Sequence, residues 1–198
     1  MNDPLVGLMI LAAGASTRMG TPKQLLPFQG RSLLRHTADV AIASQCHPII
    51  VVLGAHAERI KPEVDCLALH IVENKRWAEG MGTSIQAGIA QLTTLSQNIE
   101  AVVIVLCDQP FVSSQLIDQL VEAYRSTHKA IVASEYAGIP GVPALFSHAL
   151  FAELMKLDAS VGAKHIIQKH SHNVYRVPFS KGAIDIDTPK DYDRLQEM

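Results

Sequence analysis

With 198 residues, 48% of them hydrophobic and 18% charged, the chain has enough apolar content to bury a core, and residues 1–198 are expected to form one domain. That balance excludes a disordered chain, and a net charge of −2 leaves no electrostatic footprint for general nucleic-acid binding. No apolar run approaches the ~18 residues of a membrane span. Asp3, with no basic region before the first apolar stretch, argues against a secretory leader. Cys46, Cys66 and Cys107 share no zinc or disulfide spacing, so the expected location is cytoplasmic.

In chain order, Leu5–Ala12 is almost wholly apolar and reads as a strand buried on both faces, as in parallel sheets covered by helices. Similar runs recur at Pro48–Leu53 and Ala101–Leu106, with a shorter one at Ala130–Ser134. Amphipathic segments of helical length lie between them, at Ser32–Ser44, Gly82–Leu95 and Ser113–Thr127, with Ser32 and Ser113 or Ser114 as N-caps. Gly138–Pro143 reads as a turn, followed by two short helical patches and a strand at Asn173–Pro178. A short extended stretch, Ala183–Asp187, precedes a last helix capped by Thr188 with Pro189 at its first position. Strands alternating with helices predict an α/β fold: a Rossmann-like three-layer sandwich, with a mostly parallel sheet and helices on both faces.

In such sheets ligands bind beyond the carboxyl ends of the strands. The loop after the first strand, Ala13–Lys23, carries Gly14, Gly20, Ser16, Arg18 and Lys23. It fits neither the Walker A spacing nor G-x-G-x-x-G, which disfavours a dinucleotide-dependent oxidoreductase. No acidic residue lies between Asp3 and Asp39, whereas Arg18, Lys23, Arg31 and Arg35 do. An acid-free glycine loop with two cations suits a polyphosphate, since glycine lets backbone amides approach the oxygens. A solvated loop with two surface cations would carry the same letters. Asp108 stands just beyond the strand Ala101–Leu106, where a carboxylate can hold Mg²⁺. Asp185 and Asp187 flank Ile186 and would share one face of an extended segment.

The run Leu11-Ala12-Ala13-Gly14-x-Ser16-x-Arg18-Met19-Gly20-x-Pro22-Lys23 resembles the signature loop of nucleotidyltransferases that transfer a nucleoside monophosphate from an NTP. It is most similar to their molybdenum cofactor cytidylyltransferase-like branch. The likeness continues at Glu79–Ser84, Cys107–Pro110, Asp158–Lys164 and Asp185–Pro189, in order along nearly the whole chain. The resemblance implies the nucleotide-diphospho-sugar transferase-like form of the fold. It also implies a nucleotide site at Leu11, Ala12, Ala13, Gly14, Ser16, Lys23, Gly80, Gly82, Ser84 and Asp108. Asp108 and Asp187 would hold Mg²⁺, with Asp185 as the weaker third acid, and Arg18, Lys23 and Asp108 would be catalytic.

An acceptor phosphate would attack the α-phosphorus in line, and pyrophosphate would leave. Being anionic already, that phosphate needs no general base. Lys164, placed near a helix start where a cation opposes the helix dipole, would meet the acceptor's phosphate. The relatives that use CTP tend to read Leu-Ala-Ala-Gly as this chain does, so CTP is the expected donor and molybdopterin the expected acceptor. A transient contact with a molybdoenzyme or its chaperone follows from that acceptor. A sugar- or polyol-phosphate acceptor is the enzyme alternative, and a non-catalytic nucleotide-binding accessory protein of a molybdoenzyme is the alternative from another class. Two departures stand out: Val142 replaces a histidine frequent in relatives, and Gln86 replaces a frequent arginine.

Overall fold

The computed structural model describes residues 4–198, so Asp3 lies outside the described residues. The elements in chain order are β1 (Val6–Ala12), β2 (Pro27–Phe28), β3 (Arg31–Ser32), α1 (Leu33–Ile42), β4 (Ile49–Leu53), α2 (Ala57–Ile60), β5 (His70–Glu73) and α3 (Met81–Leu95). They continue with β6 (Ala101–Leu106), α4 (Ser114–Thr127), β7 (Ile131–Tyr136), β8 (Ile139–Ser147), α5 (Phe151–Leu154), α6 (Lys164–Lys169), β9 (Val174–Pro178) and α7 (Pro189–Gln196). A seven-stranded sheet has the order β5-β4-β1-β6-β8-β7-β9, and β2 pairs with β3 in a small ribbon. Within the large sheet β8 alone runs antiparallel, to both β6 and β7. The fold is the mostly parallel, Rossmann-like sandwich that the alternation of strands and helices predicts.

The apolar runs work through the two-residue period of a strand. Leu8 and Ile10 of β1 join Leu33 and Leu34 of α1 and Leu120 of α4 in a core on one face. Met9 and Leu11 join Ile85, Ile89 and Leu92 of α3 on the other. Each such side chain, fully buried, contributes about 1.5–3 kcal/mol. Helix starts follow the predicted caps. Ser32 Oγ accepts from the Arg35 amide at 3.1 Å and Ser113 Oγ from the Leu116 amide at 3.2 Å. Thr188 caps α7 with Pro189 next.

One local reading needs correction. Gly138–Pro143 is mostly strand: the turn is confined to Ala137 and Gly138, both at positive φ, and β8 starts at Ile139. A register shift pairs Ala133 with Ala144 but Ser134 with Gly141, leaving Val142 and Pro143 in a bulge that accommodates a residue without an N–H. Ala183–Asp187 pairs with no strand: a turn closes at Ala183, where the Ile184 amide donates to the Lys181 carbonyl at 3.2 Å, and residues 184–187 form no helix or strand. Asp191 completes a capping box by accepting from the Thr188 amide at 2.9 Å. The edge strand β5 has no counterpart in the sequence reading.

After β1 the chain runs outward to β4 and β5, then returns to β6 on the other side of β1. The loops after β1 and β6 therefore diverge and leave a crevice between them, the usual place for a ligand.

Candidate active site

The loop after β1 is held from inside by Gln24, which is 1% exposed. Its Nε2 donates to the Ala12 and Gly14 carbonyls, both at 2.9 Å. Ser16 Oγ accepts from the Lys23 amide at 3.1 Å and donates to Gln24 Oε1 at 3.3 Å. Ser16 thus ties the loop shut rather than lining the crevice. Gln24 completes the positioning of Lys23, and no spacing in the sequence signals it.

Lys23 Nζ lies 2.5 Å from Asp108 Oδ2 and 2.8 Å from Asp187 Oδ1. Arg18 Nη2 adds a contact of 2.9 Å to Asp187 Oδ2. The two acids meet because the Ile186 amide donates to the Asp108 carbonyl at 2.9 Å, docking the 183–187 segment onto the end of β6. Burial alone would pull the Lys23 ammonium down, but the Asp108 and Asp187 carboxylates outweigh it and leave its pKa raised. Burial likewise pushes Asp187 up, and Lys23, then Arg18, overcome that and hold its carboxyl below the ordinary value.

Asp108 Oδ1 is buried and has no hydrogen-bond partner. A buried orphan carboxylate oxygen is costly unless something cationic or protic completes it. Among the described residues no group of three or more His, Cys, Asp or Glu side chains is placed to hold a metal ion. Two carboxylates suit a hard cation that draws its remaining oxygens from water and phosphate. The residues present therefore fit such an ion.

A cavity of about 310 Å³ opens beside this cluster. Of the predicted nucleotide residues, Leu11, Ala12, Ala13, Gly14, Lys23, Gly80, Ser84 and Asp108 line it, while Ser16 and Gly82 do not. Gly80 and Gly82 are glycines for a packing reason. A Cβ on Gly80, at φ 131°, would run into the Ala159 carbonyl, and one on Gly82 into that of Asp158. The Gly82 amide is already spent on the Ala159 carbonyl at 2.9 Å. The start of α3 is thus closed against the 158–162 loop instead of bared for an anion. Buried Asn74, absent from the sequence reading, donates to Thr83 Oγ1 at 2.8 Å and to Ser84 Oγ at 2.9 Å, holding the Ser84 hydroxyl at the cavity wall.

A second cavity of about 310 Å³ shares Leu11, Met81 and Leu106 with the first. Lys164, the first residue of α6, lines it with Asp185, Gln109, Tyr136 and Val142. Asp185 therefore stands apart from the Lys23 ion pairs. Burial, then the charges of Asp108 and Asp187, raises its carboxyl above the ordinary value, although the residue as a whole is exposed. Gln109 Nε2 donates to the Val142 carbonyl at 3.2 Å, and its buried Oε1 has no partner. Gln86, the second departure, donates to the Leu157 carbonyl at 2.8 Å. No helix among the described residues is long and apolar enough to cross a membrane.

The model of the MobA-like NTP transferase domain matches residues 8–174. Nicotine blue oxidoreductase of Paenarthrobacter nicotinovorans is 36% identical over 123 residues, an alignment spanning 62% of this chain and only 58% of that protein. Purine catabolism protein PucB of Bacillus subtilis (strain 168) is 26% identical over 208 residues, covering 99% of this chain and 98% of PucB. Among solved structures, that of Rv0371c from Mycobacterium tuberculosis H37Rv in complex with manganese is similar, with a TM-score of 0.79 and 27% identity over 98% of each chain.

Proposed function

The chain belongs to the MobA-like NTP transferase domain family, a family of nucleotidyltransferases, and from that premise we propose that it transfers CMP from CTP to a phosphate of molybdopterin. A phosphate oxygen of the acceptor forms a bond to the α-phosphorus, the bond to the bridging oxygen of the β-phosphate breaks, and pyrophosphate leaves. The whole chain acts as one such domain. The single observation that carries the reading is the Lys23 ammonium set between Asp108 and Asp187, beside a cavity walled by the loop after β1.

Asp108 and Asp187 would hold a divalent cation, Mg²⁺ in this reading, which when bound supplies positive charge beside the triphosphate. The orphan oxygen of Asp108 favours that role, and a similar protein has been solved with manganese. Lys23 and Arg18 do the work on the phosphoryl groups. Both are now neutralised by carboxylates, and both gain a stronger partner when an α-phosphoryl and a departing pyrophosphate bring more negative charge. Catalysis is then positioning and charge neutralisation, with no proton to abstract. The second cavity, with Lys164 at its wall, would take the acceptor, so that its phosphate approaches across the shared residues Leu11, Met81 and Leu106. Asp185 belongs to that side of the site.

Pyrophosphate release with Mg²⁺ and each of the four NTPs, in the presence of molybdopterin or of sugar and polyol phosphates, tests the reading. Release requiring CTP and molybdopterin together supports it. Release with a sugar or polyol phosphate keeps the chemistry and replaces the acceptor. CTP binding with no release under any acceptor favours the accessory-protein alternative.

A further inference from the structure

Trp77 is the chain's one tryptophan. It opens a single 3₁₀ turn, Trp77–Glu79, between β5 and α3. It lines the first cavity and yet stays 37% exposed. Leaving part of a large aromatic surface in water at the mouth of a cavity forgoes burial that the fold could have taken. Its backbone is pinned on both sides, with the amide donating to the Asn74 carbonyl at 3.3 Å and the carbonyl accepting from Gly80 at 3.2 Å. Asn74 is itself locked to the Thr83 and Ser84 hydroxyls. The indole is therefore presented from a rigid base.

Gly54, just past β4, shows what Trp77 faces. A Cβ added there would lie 2.6 Å from Trp77 Cβ, 2.7 Å from the Ala13 carbonyl oxygen and 2.8 Å from Ala13 Cβ. Ala13 and Trp77 thus converge over a position that only glycine leaves open, and form one continuous wall. Among the described residues that line this cavity, Lys23 and Asp108 are the charged ones; the others are apolar or small and neutral, apart from Gln24 and Ser84. A nucleotide has the same polarity, an anionic chain at one end and a flat aromatic base at the other. The phosphates belong with Lys23, which leaves the base to the Ala13–Trp77 wall. A volume of about 310 Å³ sits at the low end for ligand pockets.

We propose that Trp77, set against Ala13 across Gly54, packs on the nucleobase and gauges its width, making it a specificity-determining residue for a pyrimidine donor. This inference rests on the nucleotidyltransferase reading above.

The indole is its own reporter. Titrating the wild-type protein with CTP and with GTP, in Mg²⁺, should change the tryptophan emission saturably and at lower concentration for CTP. Calorimetry on the same samples measures binding without reference to the indole. Trp77→Ala should weaken CTP binding about tenfold, the scale of one lost base–aromatic stack, and should narrow the preference for CTP over GTP. Trp77→Phe, which keeps a ring, should retain most of both. Calorimetric binding of CTP with unchanged emission in the wild type, or with unaltered preference in Trp77→Ala, overturns the gauge while leaving the donor reading intact. Absence of calorimetric binding by any NTP in the wild type overturns the donor reading itself.

Discussion

Replacing Lys23 by methionine keeps most of the length of the side chain and removes the ammonium between Asp108 and Asp187. Removing one partner from a buried ion pair costs about 3–5 kcal/mol, because the remaining charge is left uncompensated. The Lys23 and Asp108 side chains, at 16% and 17% exposed, come close to that limit, whereas Asp187, at 34%, does not. Water and Arg18 screen Asp187, so its share falls toward the surface value of about 1 kcal/mol or less. Together with relief from burying an ammonium, the expected loss is about 2–3 kcal/mol. For a chain of this size that lowers the melting temperature by about 5–10 °C.

The loss also has a pH signature. Asp187 is held below its ordinary value in the folded protein, so its contribution is present above the unfolded pKa and disappears as pH falls through the folded one. Lys23 is raised, so its contribution persists at neutral pH and is lost only as pH climbs past the ordinary lysine range. The gap between wild type and Lys23→Met should therefore be full near neutral pH and shrink as Asp187 protonates. Mn²⁺ should stabilise the variant more than the wild type, since the two acids no longer have a resident counter-ion. Thermal unfolding across pH, with and without Mn²⁺, measures all three. A neutral-pH shift within about 1 °C, or a gap that does not narrow in acid, would refute the reasoning.

Other substitutions probe the frame around that cluster. Gln24→Ala leaves the Ala12 and Gly14 carbonyls without their donor; it should cost about 1–3 kcal/mol in denaturant unfolding and raise KM for the nucleotide. Thr188→Ala removes the cap of the helix that follows Asp187; about 1 kcal/mol of stability should disappear, with little effect on nucleotide binding. Lys164→Glu reverses the charge at the wall of the second cavity. Acceptor KM should rise with CTP KM unchanged, and equal effects on both would remove Lys164 from the acceptor side.

Much of the frame was legible because it follows from strong local rules. The runs in β1, β4 and β6 are apolar throughout because both faces of those strands are covered, and Ser32, Ser113 and Thr188-Pro189 signal helix starts through backbone chemistry. β5 was not legible: four residues on an edge, His70–Glu73, carry too few buried positions to show a period. β8 was hidden by Pro140, Gly141 and Pro143, which a bulge and an antiparallel partner on each side absorb.

Within the site, the loop residues were visible as a motif, but their arrangement was not. Lys23 and Asp187 are 164 positions apart, and only the docking of the 183–187 segment onto Asp108 brings them together. Gln24, Asn74 and Trp77 act singly, through buried hydrogen bonds or an exposed ring, and single residues leave no spacing to read. Gly80 and Gly82 entered through the resemblance alone, and only the folded chain shows that their missing side chains make room for the 158–162 loop.

Thermal unfolding with CTP, GTP, ATP and UTP, each with and without Mg²⁺, tests the central claim most directly. A ligand at about 100 times its Kd adds about 2.7 kcal/mol of stability, a shift of several degrees. The account predicts a shift that is largest with CTP and depends on Mg²⁺. No shift with any nucleotide up to millimolar concentration would contradict it.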